Sequence, residues 1–352
     1  MVDADLVTTD DEFNGCWVHI ISGTNAGTWR IITDSVAADN EISFAAMVSA
    51  VDNTSVYEIR NGPEHCILPP YTLEVHRDLQ KAFQFAGCVP NTLAFSFGVG
   101  AKILNLTATW LGKDIALIDP TTPSWEPTEP FRWNQAMIMI GIADTGTGDA
   151  GGTTTSINIS GKTWTTDQYV GKYVRITSGN MKDQIRKITS NGTTRINWSD
   201  SEEMAAAPEL GSTCEVWNEE NLIETLSLSL SNGLIPVPLL NNTKRIAKIV
   251  GDVFRSGAIT PTFHVEDRTN WETYFKGWTT RPWLVVLRGA LRTSTKYYYE
   301  LQLHLPKILF TAYPLGTAGP GRLTVGATGK IKYDATATYL AKVVLFNSKA
   351  SY

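Results

Sequence analysis

Metal and redox motifs are missing from this 352-residue sequence. Its four cysteines, Cys16, Cys66, Cys88 and Cys214, never fall in Cys-x-x-Cys spacing, so neither a zinc site nor a thiol redox pair is indicated. Cys16 and Cys214 lie in strand-like segments and read as small core residues. The five histidines, His19, His65, His76, His264 and His304, form no His-Glu-x-x-His pair. His264 and Glu266 share one strand face, which reads as a solvated face. Charge is scarce as well. Asp, Glu, Lys and Arg make up 18% of the chain, against ~25% in an ordinary soluble domain. With a net charge of -5 and no basic stripe, tight binding to a phosphate backbone is excluded. No apolar run of membrane-spanning length and no signal peptide is seen, so a chain made in the cytoplasm and not inserted in a membrane is expected.

Catalytic constellations are equally thin. Asp144-Thr-Gly-Thr-Gly-Asp149 puts Thr and Gly where a calcium loop needs acidic or amide ligands, and reads as a mobile loop. Gly316–Gly321 lacks the Lys-Ser/Thr of a phosphate loop, and Gly326–Lys330 sits inside a strand pattern. No Gly-x-Ser-x-Gly elbow occurs. The carboxylate pairs Glu219/Glu220 and Glu266/Asp267 are adjacent, not convergent, as glycoside hydrolysis would require. No cofactor and no enzymatic activity are expected. A low charge load suits a protein that buries much of its surface in an assembly.

What the chain does contain is a repeat. Residues 11–33 and 167–189 align without a gap at an offset of 156, with 9 of 23 positions identical. That spacing is too long for a solenoid and indicates duplication of a module. In each copy Val18/Ile20 or Val174/Ile176 alternate with polar or aromatic neighbours, the period of a half-buried strand. Ser22-Gly23 and Ser178-Gly179 supply the turn. A return strand follows at 29–32 or 185–188. A further pair lies near Ile42/Phe44 or Ile196/Trp198, and the closing strand at 57–59 or 214–216. Each module is expected to be a small β-barrel or sandwich.

A weaker echo relates residues 92–100 (TLAFSFGVG) to 225–233 (TLSLSLSNG), both alternating strands that end in a Gly turn. Second strands follow at 103–111 and 259–265. The second copy carries extra residues, 234–250, which read as an inter-subunit arm with Leu234, Leu239, Asn241, Lys244 and Arg245 as its candidate contacts. Four blocks result. Residues 1–60 form small module 1. Residues 61–142 form a strand-rich first half, with a Pro-rich linker at 120–130. Residues 143–218 combine a Gly-rich loop (143–155) with small module 2, and 219–352 form the second half. A helix is expected over Trp271, Tyr274, Phe275 and Trp278, capped by Asp267. Strands are expected at 136–142, 283–287, 297–305, 323–332 and 338–346. In the 297–305 strand, Tyr297, Tyr299, Leu301, Leu303 and Leu305 face the core. Tyr298, Glu300, Gln302 and His304 face water or a lumen.

The segments 225–233, 297–306 (YYYELQLHLP), 308–310, 319–323 and 338–347 resemble the C-terminal half of the major tail tube proteins of long-tailed bacteriophages. Residues 85–96 resemble part of the family's first half, and the small modules resemble a barrel inserted in many phage structural proteins. The resemblance implies a mainly-β fold: duplicated tail-tube β-sandwich domains with a flanking helix, plus two small inserted barrels. It further implies rings, trimeric and pseudo-hexameric, stacked head to tail around a lumen that DNA crosses without specific binding. The partners it implies are further copies of the chain, with tape-measure and tail-terminator proteins. The place is the virion tail, assembled in the host cytoplasm. Glu266, Glu300 and Gln302 are the candidate lumen-facing residues. An alternative from another class is a distal tail or baseplate protein that binds a host-surface glycan over Trp29 or Trp164.

Overall fold

The computed structural model describes residues 17–36, 38, 41–47, 51, 55–60, 71–76, 80–99, 103–122, 129–237, 246, 248–251, 253–266, 270–292, 296–314 and 323–347. Two compact units divide the chain, Met1–Tyr71 and Thr72–Tyr352. Both are built from strands. Helical residues, among those described, come only as two short 3-10 turns and one π-helical turn.

The first unit contains β1 (Trp17–Ser22), β2 (Trp29–Val36), β3 (Glu41–Phe44) and β4 (Val56–Arg60), in the order β3-β2-β1-β4. Its core is Val18, Ile20, Ile32 and Ile42, each fully buried. These are the alternate residues of three strands, as a pleat with one wet face requires.

The second unit begins with β5 (Tyr71–Val75), at the boundary, β6 (Ala82–Gly98), β7 (Asn105–Leu111), β8 (Asp114–Ile118) and β9 (Ala136–Thr153). Next come β10 (Ser156–Ile159), β11 (Tyr173–Ile176), β12 (Ile185–Asn191), β13 (Arg195–Trp198) and β14 (Thr213–Glu219). Ladders run β9-β14-β11-β12-β13-β10 and back to β9, closing a six-stranded barrel. The repeat is preserved to the register. Val18 faces Arg30 across β1 and β2, and Val174 faces Arg186 across β11 and β12. The barrel core residues Val174, Ile176, Ile188 and Ile196 are the counterparts of the core of the first unit. The two turn glycines also match, with Gly23 at φ 82° and Gly179 at φ 83°.

Residues 143–153, expected as a loop, are instead the second half of β9. Their glycines serve close packing, not mobility. A Cβ on Gly146 would collide with the Ile159 side chain, and one on Gly148 would lie 3.1 Å from the Ser212 carbonyl oxygen.

The remaining strands are β15 (Ile223–Ser231), β16 (Leu234–Val237), β17 (Lys248–Gly251), β18 (Ser256–His264), β19 (Arg281–Leu291), β20 (Tyr298–Ala312), β21 (Thr324–Gly326), β22 (Thr328–Lys332) and β23 (Lys342–Phe346). One sheet runs β7-β6-β15-β18, with β21 and β22 beside β18. The other runs from the first half of β9 through β19 and β20 to β23. Strand β22 also pairs with β20, so it joins the two sheets at a corner. Between them lies one core that includes Phe95, Phe97, Ile140, Leu228, Phe263, Trp283, Leu303 and Phe310.

This corrects the expectation of two tube domains. The 61–142 and 219–352 stretches put their strands into a single sandwich. The echoing segments pair with each other, Thr92 against Ser231 and Gly98 against Thr225. They look alike because they face the same core with the same pleat. The expected helix is the π-helical turn Asn270–Lys276, from which Tyr274 and Phe275 reach the core. Trp278 does not: it sits beyond the turn, 71% exposed. Asp267 lies outside the described residues.

Candidate assembly surface

The two faces of the sandwich differ in kind. The outer face of the β9-β19-β20 sheet is covered by the barrel. Met139, Leu284 and Val286 from the sheet meet Tyr173, Ile185 and Trp217 from the barrel in a buried apolar seam. Around it runs a buried polar network. Arg288 Nε donates to Glu300 Oε2 at 2.8 Å, and its Nη2 donates to the Ile185 carbonyl at 2.8 Å. Gln302 Nε2 donates to the Asp183 carbonyl at 2.6 Å and to Glu300 Oε1 at 2.6 Å. Arg186, fully buried, donates to the carbonyls of Glu202 and Ile185, and its guanidinium lies over the Tyr298 ring. Burial, with Arg288 nearby, lowers its pKa to about 10.

Two expected lumen residues therefore change role. Glu300 and Gln302 are 4% and 1% exposed. They are buttress residues between sandwich and barrel, and cannot line a lumen. His304, on the same face, stands edge-on to Trp217 and hydrogen-bonds Tyr339. Burial, then Arg175 and Lys342, push its pKa down to about 3, so the ring is neutral. Asp183 stays ionised. Burial works against its carboxylate, but Lys342 at 2.9 Å and Arg175 at 2.5 Å lower its pKa.

The outer face of the other sheet is open; its composition is uniform over β7, β6, β15 and β18, and past β18 strand β22 sets exposed Lys330 beside Ala258. Alternation sends Leu226, Leu228, Ile259 and Phe263 inward. It leaves Thr225, Ser227, Ser229 and Ser231 of β15 pointing out beside Thr262, Thr260, Ala258 and Ser256 of β18. Strand β6 adds Gly98, Ser96, Ala94 and Thr92 in the same rows. Strand β7 adds Asn105, Thr107 and Thr109. The Thr225 hydroxyl donates to the Thr262 hydroxyl at 2.8 Å. Across these four strands the face is paved with hydroxyls, methyls and glycine, and carries no Asp, Glu, Lys or Arg. His264 ends it on β18, and Glu266 lies exposed just beyond. Sequence reasoning overlooked this face. Its signal was the strict Thr-Leu-Ser-Leu-Ser-Leu-Ser alternation of 225–231, read there only for its apolar half.

Apolar side chains flank the hydroxyl face. Leu106 of β7 is 56% exposed. Strand β6 runs on past the sheet and pairs with β8, so that Phe85 faces Ile115 and Phe83 faces Leu117. Ile115 and Leu117 are exposed. The 234–250 stretch, expected as an inter-subunit arm, contributes to the β16–β17 ladder, a separate two-stranded sheet headed by half-buried Leu234. Leu239, Asn241, Lys244 and Arg245 lie outside the described residues.

Other chemistry resolves into structure. Asp144 accepts hydrogen bonds from Lys162 at 2.6 Å, Trp164 at 2.7 Å and Tyr169 at 3.0 Å. Burial opposes its charge, but these donors and the Thr145 amide hold its pKa at about 2. Trp164 is thereby a core residue, 7% exposed, and no sugar platform. The side chain of Trp29 lies outside the described set. Cys214 is buried, with its thiol pushed up to about 12 by burial, as suits an inert core residue. Cys16 and Cys66 lie outside the described residues. No group of three or more His, Cys, Asp or Glu able to hold a metal occurs among the described residues. No described helix is long and apolar enough to cross a membrane.

Residues 7–208 match the family described as Phage tail tube protein. The chain belongs to that family. As a phage tail tube protein it has a structural role in the virion tail. The matched span begins ahead of β1, takes in the β6–β8 ribbon and the barrel as far as β13, and stops short of β14. It therefore reaches over the first small module, most of the second and part of the sandwich. No curated protein matches the chain.

Proposed function

We propose that this phage tail tube protein is the repeating subunit of a long-tailed phage's tube, and that its Ser/Thr face lines the lumen. The observation that carries this reading is the absence of fixed charge from a four-stranded exposed face. A lumen that passes DNA must not retain it. Cationic walls would hold the phosphates through counterion release, in proportion to the number of phosphates neutralised. Hydroxyl walls stay hydrated and let the polyanion slide. The exposed Leu106 edge and the apolar β6–β8 ribbon are suited to contacts between neighbouring chains within a ring. Rings that stack head to tail form a heterologous, open-ended contact, which grows as a filament. DNA crosses the tube during ejection, tape-measure and terminator proteins set and cap its length, and assembly takes place in the host cytoplasm.

The test is Ser229→Lys. One added cation per chain on this face leaves the core untouched. Electron microscopy of the purified variant is expected to show tubes of normal width. Those tubes are expected to retain double-stranded DNA at low salt and release it at high salt, while wild-type tubes retain none. Equal DNA retention by both would place this face outside the lumen.

A further inference from the structure

Two features stand out at opposite ends of the same strands. At one end Val253 and Phe254 project from the segment that leads into β18, 64% and 97% exposed. Arg255, also exposed, follows them. This knob is held in place. The Val253 amide donates to the Gly233 carbonyl at 3.3 Å, Asn232 Nδ2 donates to the Pro90 carbonyl at 2.8 Å, and the Leu234 amide donates to Asn91 Oδ1 at 2.9 Å. Gly233 is at φ +63°, and a Cβ there would lie 2.5 Å from the Val253 carbonyl oxygen, so the turn is tight. At the other end, where β6 stops and β15 starts, lies a cavity of about 260 Å³. Buried Phe97, Ile138 and Leu226 and exposed Trp133 line it, together with Glu219, Glu220 and Glu224. Glu220 also acts on the Arg281 guanidinium.

We infer that Phe254 of one copy seats in this cavity on a second copy, with Arg255 against its carboxylates, and that this is the contact that stacks ring on ring. The inference rests on the tube reading and names the residues of its axial contact. Four arguments support it. A fully exposed Phe on a clamped turn is a preorganised anchor, and aromatic and Arg side chains dominate interface energetics. The hole has apolar lining residues for a phenyl ring. Its carboxylates have the charge opposite to the residue after the knob. Last, Ile223 and Ser231, the two ends of β15, are eight residues apart, roughly 26 Å along a strand. Knob and hole thus lie at opposite ends of the same strands, and a contact of that kind can repeat without closing.

The experiment compares full-length wild type, Phe254→Ala and Val99→Trp by sedimentation and negative-stain microscopy. Val99, which lines the cavity, is 63% exposed, so both substitutions spare the core, and circular dichroism checks this. Each variant alone is expected to raise the critical concentration for tube growth at least about tenfold while leaving rings intact. Mixed together they are expected to form stacked pairs of rings and nothing longer. In such a pair the intact knob of Val99→Trp enters the intact hole of Phe254→Ala. Tubes from Phe254→Ala at the wild-type concentration, or the absence of pairs in the mixture, would overturn the contact. If wild type forms no tubes under any condition, the tube reading falls and takes the contact with it.

Discussion

His304 shows how much of this protein's chemistry is spent on holding itself together. Its imidazole is buried against Trp217 and Tyr339, with Arg175, Lys342 and Asp183 the charged groups that act on it. In the unfolded chain the ring titrates near 6.5; in the folded chain its pKa is about 3. Between those values the unfolded state binds a proton and the folded state does not, so stability falls as pH drops through that window. Asp144 and Asp183 have pKa values lowered by folding, and their contributions are lost only below the usual Asp range. The interval from pH 6.5 to 5 thus isolates the histidine, which accounts for about 2 kcal/mol of lost stability there. Thermal melts across that interval are expected to show a fall for wild type and a flatter profile for His304→Gln. The Arg288–Glu300 pair behaves differently, being 11% and 5% exposed at the side chain. Glu300→Ala strands a buried guanidinium and is expected to cost about 3–5 kcal/mol, read from denaturant midpoints. A true lumen residue would cost almost nothing.

Element by element, the sequence disclosed what depends on local pattern and hid what depends on a neighbour. The strands and turns of the duplicated small module were legible, because Val18/Val174 and Ile32/Ile188 alternate in the same phase and the same turn glycines follow. The strand at 297–305 was legible as a strand, and its Leu301-Leu303-Leu305 face as core. Its Glu300-Gln302-His304 face was misread as wet. Polarity alternation marks a half-buried strand in isolation, but here the barrel covers that face and its polar groups are paired inside. Gly146 and Gly148 misled in the same way, since a glycine needed for close approach looks like one in a loop. The Phe254 knob had no sequence signal, because a lone Phe beside a strand is ordinarily core. The β16–β17 hairpin can be tested as an element. The β15–β18 ladder that flanks it, Ser231 against Ser256, is complete without it. Replacing residues 234–250 by a short Gly-Ser turn is expected to leave a folded chain with an unchanged circular dichroism spectrum. That chain is expected to form no tubes, because the clamp that fixes Phe254 is lost. Normal tubes from the deletion would exclude the hairpin from assembly.

At the scale of the whole molecule, the count of sandwiches decides the count of chains. A pseudo-sixfold ring of three chains needs two tube sandwiches per chain. Among the described residues there is one, assembled from both halves around a single core. The duplication lies elsewhere, in two small modules whose strands share one register. A ring of six sandwiches therefore takes six chains, and it brings small modules in a two-to-one ratio to sandwiches. The inner wall would repeat the same neutral face six times, with each β7 edge next to a neighbouring copy. End-on images of short tubes distinguish the cases directly. Sixfold rotational symmetry, with one sandwich per asymmetric unit, is the expected result. Threefold symmetry would require neighbouring chains to adopt two conformations. That would be visible as alternating placements of the small modules around the ring, and it would overturn the one-sandwich, one-position argument.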